Sequence, residues 1–289
     1  RFALFCNMHP EDIISNPDVS SVYEIPIMLH EQGIENHIFE KLGLKNKKPQ
    51  IGAWEKLVEK IKKKKPKSVE IVIVGKYFGT GDYQLRDSYA ALLDAIDHAS
   101  WEADVEVKTR WVDAQKVEKE GAASIIGKPD GIIVPIGWGE RGAEGMIAAV
   151  TYALDYKIPY LGLCYGMQLA VVAYARHVLG LSKANTEEND PKTPDPVIHI
   201  IEGQKELMAK RAYGGTMRLG GWDALVKKGT RAYELYIKTG FKNGKDGLTS
   251  ERHRHRYEFN NAYAKKLEDA GLIISARSTA EDLVEIIEL

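Results

Sequence analysis

The chain has 289 residues, more than one average domain needs and fewer than three would. Its 40 Lys and Arg balance 41 Asp and Glu, and the net charge of -1 excludes a globally basic nucleic-acid binder. No apolar run approaches the ~20 residues of a membrane helix, and the opening residues do not read as a secretory leader. Two cysteines exclude a disulfide scaffold or a Cys-rich metal site, so a reducing, cytoplasmic location is expected.

Residues 1–42 read as a strand over 1–6, a loop broken by Pro10 and Pro17, and a helix over 23–32 that stops at Gly33. A strand and one helix cannot bury a core, so this segment is expected to be the remnant of a separate domain. The missing initiator Met agrees with a piece of something larger. Residues 43–68 turn Lys-rich around Trp54, Leu57, Val58 and Ile61 at helical spacing, the pattern of a solvated linker helix. From Val69 onward short apolar runs and helical stretches alternate. Strands are predicted over 69–74, 105–112, 131–135 and 159–163, with helices over 85–95, 143–154 and 169–179. Further strands follow at 197–202, 272–276 and 283–289. The alternation predicts, for 69–289, a doubly wound, mostly parallel α/β sheet covered on both faces.

The most informative stretch is PYLGLCYGMQ, residues 159–168. A buried strand runs into Cys164, Gly162 and Gly166 flank it, and a helix starts at Tyr165. This is the G-x-C-x-G form of a nucleophile elbow, in which glycines permit a tight strand-to-helix turn. The helix N-terminus is expected to lower the thiol pKa and to offer backbone N–H groups to an oxyanion. Cys6 has no such setting and reads as a core residue.

GLCYGMQ resembles the nucleophile motif of the class I glutamine amidotransferases. The segments DVSSVYEIP, VGKY, PIGWGERGAEGM, GGTMRLG and ERHRHRYEFNN narrow the resemblance to the CTP synthase family. It implies a glutaminase domain over 69–289 that makes ammonia through a Cys thioester, for ATP-dependent amination of UTP to CTP. Residues 1–42 would then close the synthetase domain, with 43–68 as the linker. Carried over by motif, Cys164 is the nucleophile, and the N–H groups of Tyr165 and Ile136 form the oxyanion hole. Gly137, Trp138, Gln168, Glu188 and Arg256 bind glutamine, while Arg141 and Glu144 lie in a loop responsive to the activator GTP. A guanidinium fork suits the substrate carboxylate and an acid suits its ammonium. The resemblance implies no cofactor in this portion, ATP and Mg in the synthetase domain, a cytoplasmic homotetramer, and no nucleic-acid or membrane partner.

Three departures qualify the match, one being that residues 1–42 are expected to leave out nearly the whole ATP- and UTP-binding domain. The family has two glycines after the loop proline, where this chain has Ile136 and Gly137, and Ile cannot easily take φ > 0. The family's catalytic His and Glu lie in a Phe-His-Pro-Glu-Phe motif expected past Leu289, so residues 1–289 alone are expected to turn glutamine over negligibly. His255 and Glu258 invite a triad reading, but the resemblance makes Arg256 the working residue of that segment. An alternative stays open: a ligand-binding or assembly domain of the same fold with impaired chemistry.

Overall fold

The computed structural model describes residues 2–77, 79–80, 83–84, 86–201, 204 and 217–289, with the backbone alone at 79–80, 83–84 and 86–87. Arg1 of the expected first strand, Leu85 at the expected helix start, Glu202, and residues 214–216 of GGTMRLG lie outside the described residues. The chain divides into two compact units, Arg1–Ser68 with Asp97–Glu106, and Val69–Ile96 with Val107–Leu289.

In the first unit the expected opening strand is a helix, Phe2–Cys6. Five nearly uniformly apolar residues carry no period that separates the two forms. Cys6 is exposed rather than core. Gly33 sits at φ 72°, the left-handed position expected of a helix stop. It is also the entry to a second helix, so one expected helix is two, Ile25–Glu31 and Ile34–Lys41. No residue from Phe2 to Gln50 is buried, and Phe2, Leu4 and Phe5 are among the most exposed apolar side chains. The Lys-rich helix Gly52–Lys62 and the residues after it find acids: Lys60 pairs with Glu102, Lys62 with Glu24, and Lys63 with Asp104. These exposed pairs are each worth at most about 1 kcal/mol.

The second unit is built on a four-stranded sheet in the order Val105–Asp113, Lys67–Gly75, Gly131–Val134, Tyr160–Gly162. Lys67–Gly75 and Gly131–Val134 run parallel, as do Gly131–Val134 and Tyr160–Gly162. Strand alternation divides the side chains between two layers. Val72, Val74, Ile132 and Val134 join the main core with the helices Ala143–Tyr156 and Tyr165–His177, while Ile73 and Ile133 pack with Tyr89 on the other face. Leu169, Val171 and Val172 are fully buried. Each such side chain is worth about 1.5–3 kcal/mol.

The chain then departs from the parallel pattern. Leu248–His255, Arg218–Val226, Ile273–Ser278 and Val284–Glu288 form an antiparallel sheet, and Tyr257–Phe259 pairs antiparallel with Asp195–Ile200. The 218–226 strand carries Arg, Trp and Asp among its apolar residues and is buried only in part, so no continuous apolar run marks it. Among the described residues no helix is long and apolar enough to cross a membrane.

Candidate active site

The strand Tyr160–Gly162 ends two residues before Cys164, which caps the helix Tyr165–His177 at φ 53°, ψ -103°. This conformation is costly for a residue with a Cβ, by about 1–3 kcal/mol. The flanking glycines make the turn feasible. A Cβ on Gly162 would stand 2.6 Å from the Gly166 carbonyl carbon, and one on Gly166 would run into the Val134 carbonyl. The motif spacing is therefore a steric requirement of the turn.

Cys164 keeps part of its surface open, yet burial pushes its thiol up to about 11. The Tyr165 N–H opposes that rise and the Glu188 carboxylate adds to it. The expectation of a lowered thiol pKa is corrected here: desolvation outweighs the N–H at the helix start.

Facing Tyr165 is the loop after Gly131–Val134. An ideal Cβ on Gly137 would lie 3.1 Å from Tyr165 Cδ1 and 3.3 Å from Lys76 Cε, a tight fit that either side chain would have to yield to. Ile136 is not among the positive-φ residues, and the loop's left-handed turns fall on Gly139 (72°) and Gly142 (70°). The isoleucine is thus placed without backbone strain. Ile136 and Trp138 are exposed, at 41% and 45%. Tyr89 Oη donates to the Ile136 carbonyl at 3.2 Å. Glu188 Oε1 accepts the Gly139 N–H at 2.8 Å, and burial raises the Glu188 pKa against the pull of that N–H and of Lys76.

Gln168 is buried and donates from Nε2 to the Tyr257 carbonyl at 2.7 Å, tying the helix to the strand after Arg256. Arg256 hydrogen-bonds Gln204, and the charges of Glu188 and Arg256 both act on the Tyr257 phenol. Arg141 donates to the Lys76 carbonyl and to Gln115, both at 3.1 Å, whereas Glu144 pairs with Arg176 at 2.7 Å on the exterior. The loop, Tyr165 and Glu188 are thus joined by direct contacts. Gln168 and Arg256 reach the group through Tyr257, and Glu144 stands apart in an ion pair of its own.

His255 has no free nitrogen for a thiol. Its Nδ1 lies 2.9 Å from the Tyr257 carbonyl and its Nε2 3.0 Å from His253 Nδ1, and burial holds its pKa down at about 4. Glu258 is pushed up to about 7 by burial, with one buried oxygen unpartnered. Sequence reasoning passed over Lys76, Tyr89 and Asn189. Lys76 had a signal, a charge placed directly after the buried strand run; the other two had none.

The model of the family described as "Glutamine amidotransferase class-I" matches residues 84–289, and that described as "CTP synthase N-terminus" matches residues 1–44. The chain belongs to the class-I glutamine amidotransferase family. Within it, the relatives are CTP synthases. That of Caldanaerobacter subterraneus subsp. tengcongensis is 45% identical over 289 residues, all of this chain and 51% of the relative. That of Pyrococcus abyssi is 44% identical over 290 residues, again 100% of this chain and 51% of the relative. The chain spans about half the length of these curated relatives. Among solved structures, the glutaminase domain of Trypanosoma brucei CTPS with bound acivicin is 34% identical. It superposes at a TM-score of 0.65 over 76% of this chain and 80% of that one.

Proposed function

We propose that this chain is the glutamine-hydrolysing portion of a CTP synthase, and that Cys164 attacks the amide carbon of L-glutamine. The observation that carries the reading is the backbone at Cys164, strained into an elbow by two glycines that nothing larger can replace. In this reading the sulfur–carbon bond forms while the oxyanion takes N–H bonds from Tyr165 and Ile136. The carbon–nitrogen bond then breaks, the nitrogen leaves as ammonia, and water hydrolyses the thioester. Glu188 receives the substrate ammonium, Arg256 its carboxylate, and Gly137, Trp138 and Gln168 shape the slot.

A thiol held near 11 is protonated at neutral pH, so attack needs a base. His255 is engaged elsewhere. The base in this reading is the histidine that the family resemblance places past Leu289. The ammonia serves amination of UTP in the synthetase portion of the longer relatives, where ATP and Mg belong; GTP acts as effector at the loop of Arg141 and at Glu144, which lies not in that loop but in the first turn of the helix Ala143–Tyr156. A cytoplasmic homotetramer built through the synthetase portion completes the proposal. The test is glutamate release from L-glutamine by the full-length protein and its Cys164→Ser variant. The expected loss is roughly 10⁴-fold or more; activity surviving in the variant would refute the assignment and favour a non-catalytic domain.

A further inference from the structure

Three side chains from three elements grip two consecutive peptide units, 138–139 and 139–140, of the loop that packs on Tyr165. Lys76 follows the strand Lys67–Gly75 and is only 4% exposed. Its ammonium donates to the Trp138 carbonyl at 2.8 Å and to the Gly139 carbonyl, and lies 4.5 Å over the Tyr165 ring. Two carbonyls and a π face thus occupy its three N–H groups, as a buried ammonium requires. The Tyr165 hydroxyl lies 2.8 Å from the Gly139 carbonyl and 3.0 Å from Asn189 Oδ1. On the 138–139 peptide, opposite the Trp138 carbonyl, Glu188 takes the Gly139 N–H at 2.8 Å.

A trans peptide is planar, so holding the oxygen of Trp138 and the N–H of Gly139 fixes the plane between them. Holding the Gly139 oxygen fixes the next plane as well. Gly139, at φ 72°, is where the loop would otherwise turn most freely. Lys76 also provides the positive charge that faces Glu188. We propose that Lys76 is a positioning residue for glutamine turnover: it fixes the 138–139 peptide, and with it Gly137 against Tyr165, and holds Glu188 in place for the substrate ammonium. This inference rests on the glutamine reading above.

The charge on Lys76 gives the test a signature. Burial pulls its pKa down to about 8, Arg141 adds to the fall, and Glu188 opposes it. The other titratable groups around it are Tyr165, under the ammonium, and Tyr89, which feels the Lys76 backbone. Above pH ~8 the amine loses one N–H and its attraction for Glu188. An arginine at the same place stays charged throughout.

The experiment measures kcat and KM for glutamine in the full-length protein, in Lys76→Met, Lys76→Arg and Tyr165→Phe, from pH 6.5 to 9.5. Labelling of Cys164 by acivicin and by iodoacetamide is followed in parallel. Lys76→Met is expected to lower kcat and the acivicin rate roughly 10–100-fold, the scale of a misplaced catalytic geometry. Its iodoacetamide rate should stay within about 3-fold, since that small reagent does not need the loop. Lys76→Arg should restore a large part of the loss and abolish a kcat decline centred near pH 8. Tyr165→Phe loses the hydroxyl and its contacts with the Gly139 carbonyl and Asn189, and should fall about 5-fold, the scale of one hydrogen bond. It carries the test if Lys76→Met fails to fold. Native kcat, acivicin rate and pH profile in Lys76→Met, or native kcat in Tyr165→Phe, would overturn the positioning role. A native protein that neither hydrolyses glutamine nor takes acivicin at Cys164 would sink the underlying reading, and this inference with it.

Discussion

Raising the pH should expose how burial governs Cys164. The ordinary thiol value of 9.0 becomes about 11 at this site. At pH 8 that cuts the thiolate fraction roughly 100-fold, because each pKa unit is a factor of ten. A more basic thiolate is also the better nucleophile, with a Brønsted slope of about 0.4–0.5, which returns nearly one decade over two units. The net expectation at pH 8 is alkylation about 10-fold slower than at an unperturbed thiol of equal access. The clearer signature is the profile: the rate should climb about tenfold per pH unit and still be rising at pH 10. The assay is iodoacetamide modification of the Cys164 peptide, quantified by mass spectrometry, with the exposed Cys6 followed in the same digest. Glu188→Gln removes the carboxylate that raises the thiol value, so its profile should move to lower pH. A midpoint below 9 in the native protein would refute the reasoning, since the helix N-terminus would then outweigh desolvation.

Three further outcomes follow from the same geometry. Cys164→Gly should be more stable than Cys164→Ala by about 1–2 kcal/mol in urea denaturation, because glycine relieves the positive φ. At an ordinary site the alanine variant would be the more stable. Gly166→Ala drives a Cβ into the Val134 carbonyl and should destabilise by about 3 kcal/mol, with a lower Tm; an unchanged Tm would contradict the tight elbow. His253 and His255 have folded values of about 4 against 6.5 unfolded, so the unfolded chain binds the extra protons between those limits. Their contribution is therefore present above pH 6.5 and lost as the pH falls toward 4, with a limiting slope of about 1.4 kcal/mol per pH unit for each. Glu258, raised from 4.5 to about 7, works the other way, stabilising at low pH and losing that contribution as pH rises through 7. Urea midpoints between pH 4.5 and 7.5 should flatten in His255→Gln and steepen in Glu258→Gln; identical slopes would contradict the burial of these groups.

The parallel core was legible because buried strands write continuous β-branched runs, and the runs at Val69 and Gly131 lie where Lys67–Gly75 and Gly131–Val134 stand. The elbow was legible because steric demand fixed two glycines at fixed spacing around Cys164. The antiparallel sheet was not. The half-buried strands at 218–226 and 248–255 mix Arg, His and Asp with apolar residues, and their pairing is a long-range choice that no local period records. The opening helix was misread because FALFC is too short and too apolar to show a period. The thiol pKa was misjudged for a different reason. A motif displays the helix start, whereas burial and the charge of Glu188 depend on how the folded chain packs around the thiol. Lys76 remained hidden as a site residue because its partners, Trp138 and Gly139, lie 62 and 63 positions away.

The central claim is a covalent glutamyl intermediate on Cys164, and rapid acid quench during turnover of isotopically labelled L-glutamine tests it most directly. Mass spectrometry of the digest should find the labelled glutamyl group on the Cys164 peptide and nowhere else, and unlabelled glutamine should displace it within a turnover. Labelled glutamate formed with no adduct on Cys164, or an adduct on another residue, would contradict the account.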